Sequence, residues 1–96
     1  LKARATCLCA DVQEIGEHKA AIEGTDVVLH LAAQTGTGQS MYEISKYVQH
    51  NANGTAKLLE LISSLEQKPR RIVLSSSRAV YGEGAYTDGK EILYPK

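Results

Sequence analysis

Ser75-Ser76-Ser77-Arg78-Ala79-Val80-Tyr81-Gly82 holds the densest run of groups able to do chemistry in this 96-residue chain. Each hydroxyl can donate and accept a hydrogen bond, so the three suit a ligand carrying alcohols or a carbonyl. Their short side chains let a flat ring come close to the backbone. They follow Ile72-Val73-Leu74, an apolar, β-branched run that reads as a buried strand. Open parallel sheets bind ligands just beyond the carboxyl ends of their strands, which is where these serines would stand. The competing reading is turn chemistry, because Ser readily bonds nearby backbone groups.

Three further elements would position these serines. A second strand, from about Asp26 to Leu31, runs out into Ala32 and Ala33, two small residues that leave room for something flat against the backbone. His30, inside that strand, reads as a packed or hydrogen-bonded core side chain. Between the strands, Met41, Ile44, Val48, Ala52, Ala56, Leu59, Ile62 and Leu65 step by three or four, the pattern of a helix packed on a sheet. Gly54 interrupts that helix at about 1 kcal/mol relative to Ala, which a close approach of helix and sheet would explain, with Asn51 and Thr55 turned toward the site. Upstream, Ala5 to Ala10 reads as another strand, Asp11 as the cap of a short amphipathic helix through Ile22, and Gly24 as its stop. Pro69 marks the loop before the serine-bearing strand, and the residues after Gly82 read as a surface loop.

The order His30-Leu31-Ala32-Ala33, then Asn51-Ala52-Asn53-Gly54-Thr55, then Ser75-Ser76-Ser77-Arg78-Ala79-Val80-Tyr81-Gly82 resembles the extended short-chain dehydrogenase/reductase family, in particular its NAD-dependent nucleotide-sugar epimerases and dehydratases. The loop Gln34 to Glu43 resembles that of the dTDP-rhamnose 4-epimerase subgroup. The resemblance covers nearly the whole chain but only a middle portion of a family member. It implies an α/β chain, 1–96 forming an incomplete NAD(P)-binding Rossmann-like domain. It implies Ser77 as the catalytic residue that bonds the hexose hydroxyl losing a hydride. It further implies that Asp11, Val12, Leu31, Ala32, Ala33, Asn51, Ser75 and Ser76 border the cofactor, with a nucleotide-sugar as substrate.

Other candidates weigh less. Gly36-Thr37-Gly38-Gln39-Ser40-Met41 imitates the phosphate-binding glycine fingerprint, but Met41 stands where the third glycine must be, so the stretch reads as a flexible loop near the substrate. Tyr-x-x-x-Lys occurs at Tyr42/Lys46 and at Tyr86/Lys90. A catalytic pair needs both groups on one helical face, so that Lys lowers the Tyr pKa. In the family that pair lies well beyond the active Ser; Tyr42 precedes the Ser and Tyr86 follows too soon, in a turn. Cys7 and Cys9 share one strand face and read as buried, reduced thiols, since no second Cys pair or suitably spaced His completes a metal site.

Eleven basic against eleven acidic residues leave no net field to draw nucleic acid or an anionic membrane. Lys68, Arg70 and Arg71 form a lone basic cluster, read as the solvated approach to a strand. The longest apolar run, Val27 to Ala33, is broken by His30 and too short to span a bilayer. With no secretory signal in view, the expectation is a soluble cytoplasmic protein; a first residue of Leu rather than Met fits a processed or cut end.

The expected fold is a partial Rossmann-like doubly wound parallel sheet of about three strands with helices mainly on one face. These strands correspond to the third, fourth and fifth of the order 3-2-1-4-5-6, so the two between third and fourth are missing. Strand 5–10 is expected to slide beside strand 26–31, and the bare face to be buried in a homo-oligomer. The functional expectation is a piece of a nucleotide-sugar epimerase or dehydratase, inactive alone. The alternatives are a small α/β protein that binds a nucleotide or partner without turnover, and a purely structural dimer.

Overall fold

The computed structural model describes residues 4–82 and 84–94. Two strands, β1 (Val27–His30) and β2 (Arg71–Leu74), pair in parallel with Val27 opposite Arg71 and His30 opposite Leu74. The connection between them is helical: α2 (Thr37–Ser40), α3 (Ile44–Tyr47), a π-helical segment (Val48–Asn53) and α4 (Gly54–Ser64). The last three run into one another without a break. Ahead of β1, a 3-10 helix (Val12–His18) leads into α1 (Lys19–Ile22). Asp11 caps the 3-10 helix as expected, its carboxylate accepting from the Gln13 amide at 2.9 Å. Gly24, with φ of 76°, turns the chain out of α1 toward β1.

The core is small. Leu58, Leu61, Ile62 and Leu65 are the buried apolar residues, and Ile15, Ile22 and Val28 pack against them. It therefore lies where α4 meets the 3-10 helix, α1 and one face of the sheet. The buried stripe of α4, Gly54-Leu58-Leu61/Ile62-Leu65, is rotated from the apolar series expected for this helix. Of that series only Ile62 and Leu65 are covered; Ile44 and Val48 face solvent upstream of Gly54, where the π turn shifts the register, and Leu59 faces solvent within α4 itself, one residue off the buried Leu58.

Gly54 does mark a close approach, but to the 3-10 helix and not to the sheet. A Cβ there would stand 2.7 Å from Cγ1 of Val12. The parallel register puts Val28 with Ile72, and His30 with Leu74, on the face toward α4. Val27, Leu29 and Val73 occupy the other face and are exposed.

The third strand is not formed. Residues 5–10 pair with nothing, so the expected slide of this segment against β1 does not occur. Cys7 and Cys9 are consequently exposed free thiols; an unpaired segment has no neighbour to bury them. The radius of gyration, 18.5 Å, exceeds the roughly 13 Å of a compact domain near 100 residues. The residues after Gly82, expected as a plain loop, include a short antiparallel hairpin, β3 (Tyr86–Thr87) with β4 (Ile92–Leu93). Its turn is held by the Asp88 carboxylate, which accepts from the amides of Lys90 and Glu91. Among the described residues no helix is long and apolar enough to cross a membrane.

Candidate functional site

β1 and β2 end side by side. The Ser75 amide donates to the His30 carbonyl at 3.3 Å, carrying the pairing one step past β2. From there one strand continues as Leu31-Ala32-Ala33 and the other as Ser75-Ser76-Ser77. An open cavity of about 800 Å³ lies between these two exits and the helical segment, lined in part by Ala32, Ala33, Asn51, Ser75, Ser76 and Ser77. Its size falls within that of small-molecule sites.

Ser77 caps a 3-10 turn (Arg78–Tyr81), its Oγ accepting from the Ala79 amide at 3.1 Å. Turn chemistry and ligand chemistry are thus compatible here, because that bond occupies a lone pair and leaves the hydroxyl proton for another acceptor. The Oγ of Ser75 stands 3.5 Å from the His30 carbonyl, a long contact that leaves it free to turn. Asn51 is more committed: its Oδ1 accepts from the Gln34 amide at 2.7 Å and its Nδ2 donates to the Gln34 carbonyl at 3.2 Å. His30 is buried and within 2.8 Å of the Thr55 hydroxyl, matching the packed, hydrogen-bonded reading.

Asp11, Val12 and Leu31 lie outside this cavity. They border a neighbouring apolar groove of about 340 Å³ along the edge of β1 that β2 does not pair, and Ala32 borders both spaces. Asp11 Oδ2 lies 3.3 Å from His50 Nε2. The Gln13 amide, and after it His50, hold the Asp11 carboxyl below the usual carboxylate range. His50 Nδ1 faces the Lys46 carbonyl at 2.8 Å and must be its donor, so Nε2 is the atom turned toward Asp11 and toward the Gln13 side chain.

Neither Tyr/Lys pair is built for proton abstraction. Tyr42 is 85% exposed and precedes α3, and its Lys46 is paired with Glu43 at 3.2 Å. Tyr86 sits in β3, not on a helix. Gly36, Thr37 and Ser40, from the loop with the incomplete glycine fingerprint, line the cavity near its mouth. Among the described residues no group of three or more His, Cys, Asp or Glu side chains could hold a metal ion.

Sequence reasoning overlooked Tyr47, whose hydroxyl donates to the Thr35 carbonyl at 2.8 Å, and Arg78, a cation on the cavity wall. The signal for Tyr47 was present: Tyr47, Asn51 and Thr55 recur every four residues, a polar stripe that lines the cavity throughout.

The model of the NAD dependent epimerase/dehydratase family matches residues 2–95. The chain belongs to that family. Among relatives, the chain is 41% identical, over 99% of its own length, to a dTDP-L-rhamnose 4-epimerase of Burkholderia thailandensis, of which it covers 27%. It is 42% identical to a UDP-glucose 4-epimerase of Mycoplasma genitalium over 76% of its length and 21% of that protein. It is 46% identical to UDP-glucuronate 4-epimerase 4 of Arabidopsis thaliana over 57% of its length and 12% of that protein. The chain thus spans about a quarter of the first relative and less of the others. What the family resemblance implied about chain order, the strand exits and the helix between them agrees with this membership.

Proposed function

We propose that this chain is one wall of an NAD-dependent nucleotide-sugar epimerase or dehydratase site, and that it does not turn over by itself. The observation that carries the reading is the convergence of Ala32-Ala33, Asn51 and Ser75-Ser76-Ser77 on one cavity beyond the carboxyl ends of two parallel strands. The cofactor fits in part. Small side chains and free hydroxyls suit an approaching amide-bearing ring and its ribose, whereas the Gly36–Met41 loop offers no pyrophosphate cradle, since Met41 fills the third glycine position.

When bound, the nicotinamide supplies a reversible acceptor for hydride from a hexose carbon. The chain's own residues bind and orient. Ser77 donates its free hydroxyl proton to the sugar oxygen, and Ser75 and Ser76 border the cofactor. Ala32 and Ala33 leave space for the ring, and Asn51 fixes the loop beside it. Asp11, Val12 and Leu31 border the adenine side, in the groove next to the main cavity. The base that accepts the sugar hydroxyl proton is neither Tyr42 nor Tyr86. The exposed Ile44, Val48 and Leu59 of the helix support self-association of the parent protein.

Calorimetric titration of NAD into the chain, with Ser77→Ala and Ala33→Leu beside it, tests this reading. Weak binding that Ala33→Leu abolishes is expected, with no reduced-nicotinamide absorbance on adding a nucleotide-sugar. Binding indifferent to Ala33→Leu would remove the cavity from the account. A binding module without turnover is the second reading, favoured by the lack of a positioned base.

A further inference from the structure

The connection from His30 to Gln34 is fastened at both ends by one stretch of helix. Asn51 grips the Gln34 backbone through both amide atoms, as above. Four residues on, the Thr55 hydroxyl oxygen lies 2.6 Å from the Asn51 carbonyl and 2.8 Å from His30 Nε2. A hydroxyl has one proton, and a carbonyl can only accept, so that proton goes to Asn51. His30 Nε2 must then carry a hydrogen and donate it to Thr55. The tautomer of this buried imidazole is thereby assigned by the bonds around it.

A threonine bond back to the i−4 carbonyl bends or widens a helix, and this one falls at the junction where the π-helical segment passes into α4. Such wide turns cluster at functional sites. This one keeps Asn51 over Gln34 while Gly54 lies against Val12. The His30 carbonyl, at the other end of the same residue, receives the Ser75 amide. One residue, through its ring on one side and its backbone carbonyl on the other, thus joins the serine-bearing exit, the alanine-bearing exit and the helix.

We propose that His30 and Thr55 are positioning residues: the relay from His30 Nε2–H through the Thr55 hydroxyl to the Asn51 carbonyl holds the Asn51 amide on Gln34 and so sets the shape of the Ala32-Ala33 wall. The relay is independent of any ligand; only the purpose of the wall rests on the proposed function. The test is therefore made on the chain without cofactor, by NMR. Its failure would leave the calorimetric result untouched, and the reverse also holds.

Imidazole ¹⁵N shifts should show His30 as the Nε2–H form. Thr55→Val, nearly the same shape without the hydroxyl, should shift the Asn51 side-chain amide resonances and lower Gln34 amide protection about fivefold, as loss of one ordinary hydrogen bond does. Thr55→Ser should restore both, and His30→Gln should retain them better than His30→Leu. An Nδ1–H form of His30 in the unsubstituted chain would overturn the relay, even if every variant failed to fold. So would Gln34 protection in Thr55→Val equal to that in Thr55→Ser.

Discussion

Gly54→Ala separates packing from propensity where the helix lies against Val12. Gly54 has φ of −59° and ψ of −43°, ordinary helical values, so Ala incurs no backbone strain and should add about 1 kcal/mol of helix propensity. Against that gain, the new Cβ would meet Val12 Cγ1 at 2.7 Å and Cγ2 at 3.7 Å. Val12 is β-branched and stiff about χ1, and it opens the 3-10 helix that closes the core, so it cannot simply swing aside. Overpacking of this kind costs about 1–3 kcal/mol. The net expectation is a loss of up to about 2 kcal/mol, or a fall of several degrees in Tm for a chain this size. Urea unfolding followed by far-UV circular dichroism measures it. The decisive arm is Val12→Ala with Gly54→Ala: removing the γ methyls should turn the Gly54 substitution from harmful to favourable, a coupling of about 1–3 kcal/mol. If Gly54→Ala stabilises the chain by about 1 kcal/mol whether or not Val12 is present, the close approach does not exist and the account of this junction is wrong.

The other expectations are more direct. Leu65→Ala, at a residue 3% exposed in a core of four buried side chains, should cost about 2–5 kcal/mol and abolish the cooperative unfolding transition. Leu59→Ala, at 48% exposure, should leave that transition nearly unmoved, and equal effects of the two would show the stripe misassigned. Asp11 has its folded pKa lowered, so its contribution is complete above the unfolded carboxylate pKa of about 3.9 and disappears as pH falls through the folded value. An NMR titration of the Gln13 amide should therefore turn below pH ~3.9, and a midpoint at or above it would refute the cap. Cys7 and Cys9 should both react at once with a thiol reagent in buffer without denaturant, and protection of either would restore the buried reading.

The parts of this chain that could be read from sequence are those whose local chemistry suffices. Asp11 caps a helix start because its carboxylate reaches an amide two residues on, and Gly24 stops a helix because it tolerates positive φ. The strand ending at Leu74 was legible in its position, though not in its expected burial, since Arg71 to Leu74 are all exposed; the small residues after β1 and the polar groups Asn51 and Thr55 were legible in the same way. The failures are of another kind. Residues 5–10 carry a strand-like composition, yet composition alone makes no strand, and they leave the free edge of β1 unpaired. The helix face was misjudged because the π turn adds an extra residue at Val48–Asn53, and no 3.6-residue count can foresee that. Tyr47 shares the spacing of Asn51 and Thr55, but its place on the cavity depends on the fold of the Thr35 loop, whose carbonyl its hydroxyl meets, and no local pattern carries that.

The exposed residues of the two strands carry the remaining argument. Val27-Val28-Leu29 and Ile72-Val73-Leu74 are continuous apolar runs, the pattern of parallel strands covered on both faces. Here α4 covers one face, and that only over β1: Val27, Leu29 and Val73 on the other face are 46%, 63% and 43% exposed, and Leu74 on the side of α4 is 58% exposed. Beyond the strands, Leu8 and Leu31 flank an apolar groove along the unpaired edge of β1. A chain selected to stand alone in this shape would carry polar residues at these places, as solvated faces and edges do. Such residues suit strands of a larger sheet than the two formed here, and the chain spans 27% of its dTDP-L-rhamnose 4-epimerase relative. The cavity differs, because its linings come from the exits of β1 and β2, which pair with each other, and from the helix, which His30 of β1 meets at Thr55. Site geometry can thus persist where the sheet around it is incomplete. The cavity wall should accordingly keep its hydrogen-bond protection in solution when the segment before Asp11 shows none; protection of both alike would mean that the two are one cooperative unit.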